Sequence, residues 1–232
     1  MSFRYYLCIS DAKVDMLLSQ TDPGWARKRT SEVGLDLKVV TARRSVESAS
    51  ADRVARLERV VRFLQDHGDI GDVDEPGQYF GGLLPMQWGL VGDDDTVYFG
   101  GRTRRTILGL GGSSAHVLGA ATRAAADAGA PPPPAPDRLS ASLLPVLLHR
   151  IATPADDDFV LRPAAPGPQD ALAAADTDAL ATVAQANSTL RGPAQHVEFL
   201  AKRLLSGPSP YPELHGDRTV LLGTPLYVAL AD

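Results

Sequence analysis

The apolar run that closes the chain, Thr219–Leu230, constrains the fold more than any other segment. Val220-Leu-Leu222 and Leu226-Tyr-Val-Ala-Leu230 are rich in branched and aromatic residues, so the run reads as a buried strand. Buried backbone N–H and C=O groups must be paired, and this strand's partners are expected earlier in the chain. The run therefore argues against a separate C-terminal domain. The expected fold is a single α+β domain over residues 1–232, with a mixed sheet that carries an antiparallel hairpin region and helices packed on it. A chain of 232 residues is long enough to bury one sizeable core. Pro225 interrupts the run and marks an edge, a bulge or two shorter strands.

The other elements follow from periodicity. Phe3–Ile9 reads as a strand, and Ser10 or Asp11 can cap a short helix that places Val14, Leu17 and Leu18 against the sheet. Leu35–Thr41 alternates like a half-exposed strand. Ala51–His67 is the clearest helix, with Val54, Leu57, Val60, Val61 and Leu64 in one stripe, arginines on a solvated face and Gly68 at its end. Met86–Val91, Val97–Gly101 and Thr106–Leu110 read as short strands. The brief connections between them, at 92–95 and near Gly101–Thr103, favour antiparallel hairpins. Further helices are expected from Ser113 or Ser114 to Ala128, over Leu139–Ile151, over Gln169–Ala186 and over Ala194–Leu205, the last with Pro193 at its start. A proline-rich linker occupies 130–136 and a surface loop 153–168.

Composition excludes several classes of function. The net charge of -5 leaves no basic surface for nucleic acid through bulk charge. The lone Cys8, set in an apolar run, excludes a disulfide framework and a multi-cysteine metal site. No apolar run reaches the ~18–20 residues that cross a bilayer, and the first residues lack a signal-peptide pattern. A cytoplasmic protein without a membrane partner is expected. Asp93–Asp95 and Asp156–Asp158 lack the spacing of a calcium loop, and no metal is expected. His196 and Glu198, two apart on the expected helix, would point to different faces. His67, His149 and His215 show no partner in the sequence.

The sharpest local feature is Thr106-Ile-Leu-Gly-Leu-Gly-Gly-Ser-Ser-Ala-His-Val117. It reads as a strand running through a glycine turn into a helix N-terminus, where backbone N–H groups and the helix dipole favour an anion. Gly109, Gly111, Gly112, Ser113 and Ser114 would form the cradle. His116 stands at its rim as acid, base or ligand. Arg102, Arg104 and Arg105 could add charge if the hairpin brings them close. A purely structural role, with the glycines allowing close packing and Ser113 a plain cap, accounts for the same residues. Ser10-Asp-Ala-Lys13 has the Ser-x-x-Lys spacing of serine acyltransferases, and equally that of a capping serine with a surface lysine.

Gly109-Leu-Gly-Gly-Ser-Ser-Ala115 resembles the phosphate-wrapping motif of the GHMP small-molecule kinases, which implies ATP bound at a helix start. The proline that usually precedes that motif is absent from Gly101–Leu108. The whole chain is also similar to an uncharacterised actinobacterial family. The segments that carry this likeness are Tyr6–Met16, Val97–Gly101, Gly109–Gly119, Val197–Leu204 and Leu221–Val228. This resemblance implies no activity and names no cofactor.

Three functions fit these observations. The first is a binding or sensor module for a phosphate-bearing small molecule, such as a nucleotide, without catalysis. The second is an ATP-dependent small-molecule kinase that uses the Gly109–Ser114 loop. The third is a non-catalytic domain that recruits a protein partner through its helices.

Overall fold

The computed structural model describes residues 4–21, 42–91, 96–118 and 168–231. The described elements are β1 (Tyr5–Ile9), α1 (Asp11–Thr21), α2 (Ala42–His67), β2 (Ile70–Gly71), β3 (Tyr79–Val91), β4 (Thr96–Arg102) and β5 (Thr106–Ser113). A single 3-10 turn, Ser114–His116, follows, and then α3 (Pro168–Thr189), β6 (Gln195–Pro208), the short α4 (Pro212–His215) and β7 (Thr219–Leu230). The expected strand at 35–41, the turn at 92–95, the linker at 130–136, the helix at 139–151 and nearly all of the loop at 153–168 lie outside the described residues. So do Asp93–Asp95, Asp156–Asp158 and His149.

The α+β class holds, with antiparallel hairpins β3–β4 and β4–β5 as the short connections require. The sheet also closes on itself. β3 bonds β4 on one side and β6 on the other, β6 bonds β7, and β7 bonds β5, which returns to β4. Of these five contacts only β5–β7 is parallel. Closure removes the free edges of β3–β7 and gives a barrel narrow enough for side chains to fill. They do fill it: Phe80, Phe99 and Phe199 are buried inside with Leu108, Leu110 and Val228. Phe80 and Phe199 meet edge to face at 5.9 Å. A Cβ on Gly223 would lie 2.6 Å from the Phe80 ring, so the missing side chain makes room for the ring. The interior is a packed core.

Helices cover two flanks. Val14, Leu17 and Leu18 of α1 and Leu57, Val60 and Leu64 of α2 are buried against Leu200, Leu226 and Ala229 of the outer barrel wall. The stripe read from the sequence is the buried face, each side chain contributing roughly 1.5–3 kcal/mol. On another flank, Leu180, Val183 and Ala184 of α3 pack against Ile107, Val220 and Leu222.

Several expectations change. α2 begins at Ala42 rather than Ala51, and although Arg59 and Arg62 are exposed as expected, Arg53 and Arg56 are half-buried and paired. Arg53 bonds Asp11 at 2.8 Å and the Ile9 carbonyl at 2.6 Å, while Arg56 pairs with Asp15 and Asp52, tying α2 to α1 and to its own first half. Ala194–Leu205 is not a helix but most of strand β6. Val197, Phe199 and Ala201 alternate into the barrel, and the bonds to β3 and β7 override the helix-favouring Ala, Leu, Lys and Arg. His196 and Glu198 therefore share a face, and Glu198 accepts from the Tyr227 hydroxyl at 2.8 Å and pairs with Arg4 at 2.7 Å.

Along one edge β7 is paired throughout by β6. Its other edge is divided: β5 takes Thr219–Gly223 and β1 takes Tyr227–Leu230. Thr224–Leu226 fall in the seam between the two, where the register with β6 also slips. The break read from Pro225 is this seam.

Candidate functional site

Gly109, Gly111 and Gly112 lie in β5 itself, opposite Gly100, Tyr98 and Val97 of β4. No glycine turn is present there; the expected helix opens as a 3-10 turn, Ser114–His116, followed by Val117 bridging Cys8, and its remainder, 119–128, lies outside the described residues. The polar sheet groups that a cradle would offer are used in the ladder. Gly109 and Gly100 serve packing instead. A Cβ on Gly109 would stand 2.5 Å from the Tyr98 hydroxyl and 2.9 Å from Val183, and one on Gly100 would collide with Asn187 and Leu190. Their bareness lets α3 lie close, where the Asn187 amide reaches the Tyr98 hydroxyl, the Leu108 carbonyl and the Val183 carbonyl, each at 3.1 Å. Ser113 caps the 3-10 turn, its hydroxyl accepting from Ala115 N–H at 3.3 Å. The geometry is thus not that of the phosphate-wrapping loop to which the GHMP resemblance pointed.

The arginines sit at the other end of the hairpin. Thr96 pairs Ser113 while Arg102 pairs Ile107. Six residues of strand separate the two ends by roughly 20 Å, so no ligand phosphate spans both. Arg105 pairs with Glu75 at 3.6 Å in full exposure, and the Arg104 carbonyl accepts from Arg218 Nε at 3.2 Å.

At the Ser113 end the β7 seam collects polar groups. Ser10 N–H donates to the Leu226 carbonyl at 2.9 Å. Lys13, one turn along α1, donates from Nζ to Thr224 Oγ1 at 2.6 Å and to the Pro225 carbonyl at 3.1 Å. Burial pulls the Lys13 amine down to about 8. His116 is partly buried beside it, and burial, with Lys13 second, holds its imidazole below the ordinary value. Burial pushes the Cys8 thiol up to about 11, which makes it a core residue rather than a nucleophile. The Ser10–Lys13 spacing is visible in the sequence, but the acceptors for Lys13 come from β7, far along the chain.

At the Arg102 end lies a cleft of about 600 Å³ between α3 and the barrel wall. Arg102, Arg218 and His215 line it together with Gln87 and Asn187, and no carboxylate does among the described residues. Arg102 is exposed and carries no ion pair among the described residues. His215, which showed no partner in the sequence, has Nδ1 2.8 Å from Ser209 Oγ, which also accepts from Tyr211 N–H at 3.2 Å. That bond fixes the ring and leaves Nε2 for another partner. Gly100 and Gly101 also line it, with Asn187 and Leu190 packed over Gly100 and Leu84 and Met86 against Gly101. Arg102 is legible in the sequence, whereas His215 and Arg218 are not, because they reach the cleft only where β7 runs beside β5.

Among the described residues no cluster of three His, Cys, Asp or Glu side chains could hold a metal, and no helix is long and apolar enough to cross a membrane.

Fold and sites together define a small closed β-barrel of α+β class, clad by helices, with a basic cleft on one flank and a half-buried lysine at a strand seam. The chain belongs to a family of unknown function (DUF7019), which matches residues 4–232. No curated protein and no solved structure matches the chain.

Proposed function

We propose that the protein is a binding module for a small molecule bearing a phosphate or a comparable anionic group, held in the cleft between α3 and β4. The observation that carries this reading is the charge of the lining: two arginines and a histidine converge on about 600 Å³ of space with no acidic residue among the described lining residues. A cleft of that size is in the usual range for small ligands. Guanidinium groups suit phosphate oxygens, which they bind in pairs of N–H bonds. Asn187 and Gln87 already donate to protein carbonyls, Gln87 to Gly192, so these N–H groups fix the walls rather than the phosphate. The barrel interior offers no competing space because three phenylalanines fill it.

The test is a thermal-shift series with inorganic phosphate, pyrophosphate, nucleotides and sugar phosphates at low salt. A true ligand at 100 times its dissociation constant adds roughly 2.7 kcal/mol of stability. Arg102→Ala, an exposed substitution, should leave the unliganded melting temperature within error and abolish most of the shift. If none of these compounds stabilises the wild type, or if Arg102→Ala responds as the wild type does, the cleft is not an anion site.

A further inference from the structure

Resting on the anion site described above, we propose that its ligand is the monophosphate of a sugar or polyol, whose hydroxyls are read by Asn187 and Gln87. The division of the cleft into a donor end and an acceptor end carries this inference.

At the donor end stand Arg102, Arg218 and His215. A guanidinium offers donors alone. Arg218 spends Nε on the Arg104 carbonyl and keeps its terminal N–H groups, while the Arg102 side chain makes no hydrogen bond or ion pair among the described residues. His215 belongs with them even as a neutral ring. Ser209 is buried and its Oγ accepts from Tyr211 N–H. Among the described residues the only acceptor for the Ser209 hydroxyl proton is His215 Nδ1. Nδ1 therefore accepts, and the ring proton sits on Nε2 as a third donor.

Further along the cleft the free polar atoms are acceptors. Gln87 pairs with Gly100 in the ladder, and Asn187 Oδ1 lies directly over Gly100, where a Cβ would collide with it. Asn187 spends its Nδ2 protons on Tyr98, Leu108 and Val183, and Gln87 spends one of its own on Gly192. Neither Asn187 Oδ1 nor Gln87 Oε1 accepts a bond among the described residues, and neither is a sealed, orphaned atom. Ser188 Oγ donates to the Gln185 carbonyl, so it too keeps only acceptor capacity. A ligand that reaches this end must donate, and hydroxyls do so without bringing charge.

The spacing suits one sugar ring. Gly100 and Arg102 are two residues apart on the same face of β4, about 7 Å along the strand. A phosphate at Arg102 brings the body of its own ester to the level of Gly100, beside the apolar atoms of Pro85, Leu190 and Ala194. No Phe, Trp or Tyr stands among the described lining residues to stack a nucleobase.

Isothermal titration of the full chain with ribose 5-phosphate, propyl phosphate, inorganic phosphate and AMP tests the assignment. The two esters share a head group and differ in hydroxyls, so ribose 5-phosphate should bind more than about tenfold tighter than propyl phosphate. AMP should bind no tighter than ribose 5-phosphate. Gln87→Met keeps the length of the side chain and removes an acceptor. It should narrow the gap between the esters at least about threefold and leave propyl phosphate unchanged. Equal binding of the two esters would overturn the sugar assignment and leave the anion site standing. A preference for AMP, or a gap that survives Gln87→Met, would overturn it in the same way. If no phosphate compound binds, the anion site falls and the assignment falls with it. Should the variant fail to fold, the two esters on the unaltered chain decide alone.

Discussion

Replacing Gly109 by Ala tests whether the β5 glycines exist for packing or for a ligand. The added Cβ would stand 2.5 Å from the Tyr98 hydroxyl and 2.9 Å from Val183 Cγ1. Neither neighbour yields easily: the Tyr98 ring is buried to within 1% of full burial, and Val183 is a branched residue on a packed helix. Overpacking of this kind costs about 1–3 kcal/mol. A displaced Tyr98 hydroxyl also loosens its bond from Asn187, worth about 0.5–1.5 kcal/mol. Against this, Gly→Ala restricts the unfolded chain and returns about 0.4–1 kcal/mol. The net loss is on the order of 2 kcal/mol, or about 4–8 °C of melting temperature for a chain of this size. Gly112→Ala is the matched control, because its Cβ would find nothing nearer than Pro225 at 3.8 Å. It should be neutral to within about 0.5 kcal/mol. Urea melts and differential scanning calorimetry of the pair measure the difference directly. Equal stability of the two variants would refute the packing account, as would a Gly109→Ala protein as stable as wild type.

Phe199→Ala empties the middle of the barrel, where the ring meets Phe80 at 5.9 Å, and should cost about 3–5 kcal/mol in a urea melt, against under 0.5 kcal/mol for an exposed control such as Leu214→Ala. Stability at alkaline pH should separate two buried groups by sign. Lys13 is lowered to about 8 on folding, so the unfolded chain holds that proton longer and the Lys13 contribution rises with pH from about 8 towards the ordinary lysine value. Cys8 is raised to about 11, so its contribution is complete below the ordinary thiol value and is lost as pH climbs towards 11. Relative to wild type, Lys13→Met should therefore tilt the pH–stability curve downward above pH 8, and Cys8→Ala should tilt it upward, in paired denaturant titrations.

Elements whose own residues settle their state were legible. Val14, Leu17 and Leu18 bury as their spacing requires, and β7 runs over the residues that first suggested it. β6 was not legible, because its helix-favouring composition is outvoted by ladders to β3 and β7 that lie far away in the chain. Barrel closure has the same cause: nothing local in Tyr79–Met86 says that its partner is Gln195–Lys202. The glycines were visible, but a missing side chain means either a turn or a close neighbour, and only the position of α3 shows that it is the neighbour. Arg102 was found as an isolated charge, whereas Arg218 and His215 acquire meaning only through the parallel pairing of β5 with β7. Lys13 stood in a visible spacing whose acceptors, Thr224 and Pro225, are brought to it by the β1–β7 pairing.

The divided edge of β7 also bears on how fast the chain can fold. β3, β4 and β5 follow one another and can assemble as a local meander. β7 must wait, since it closes the barrel only by meeting β5, and β1 must wait longer, because Tyr5 pairs with Leu230 near the far end of the sequence. Non-local and parallel pairings carry their loop-closure entropy before any contact rewards it, which slows folding. The Lys13 bonds depend on the same long-range pairing: Thr224 and Pro225 reach Nζ only once β1 lies on β7 and carries α1 with it.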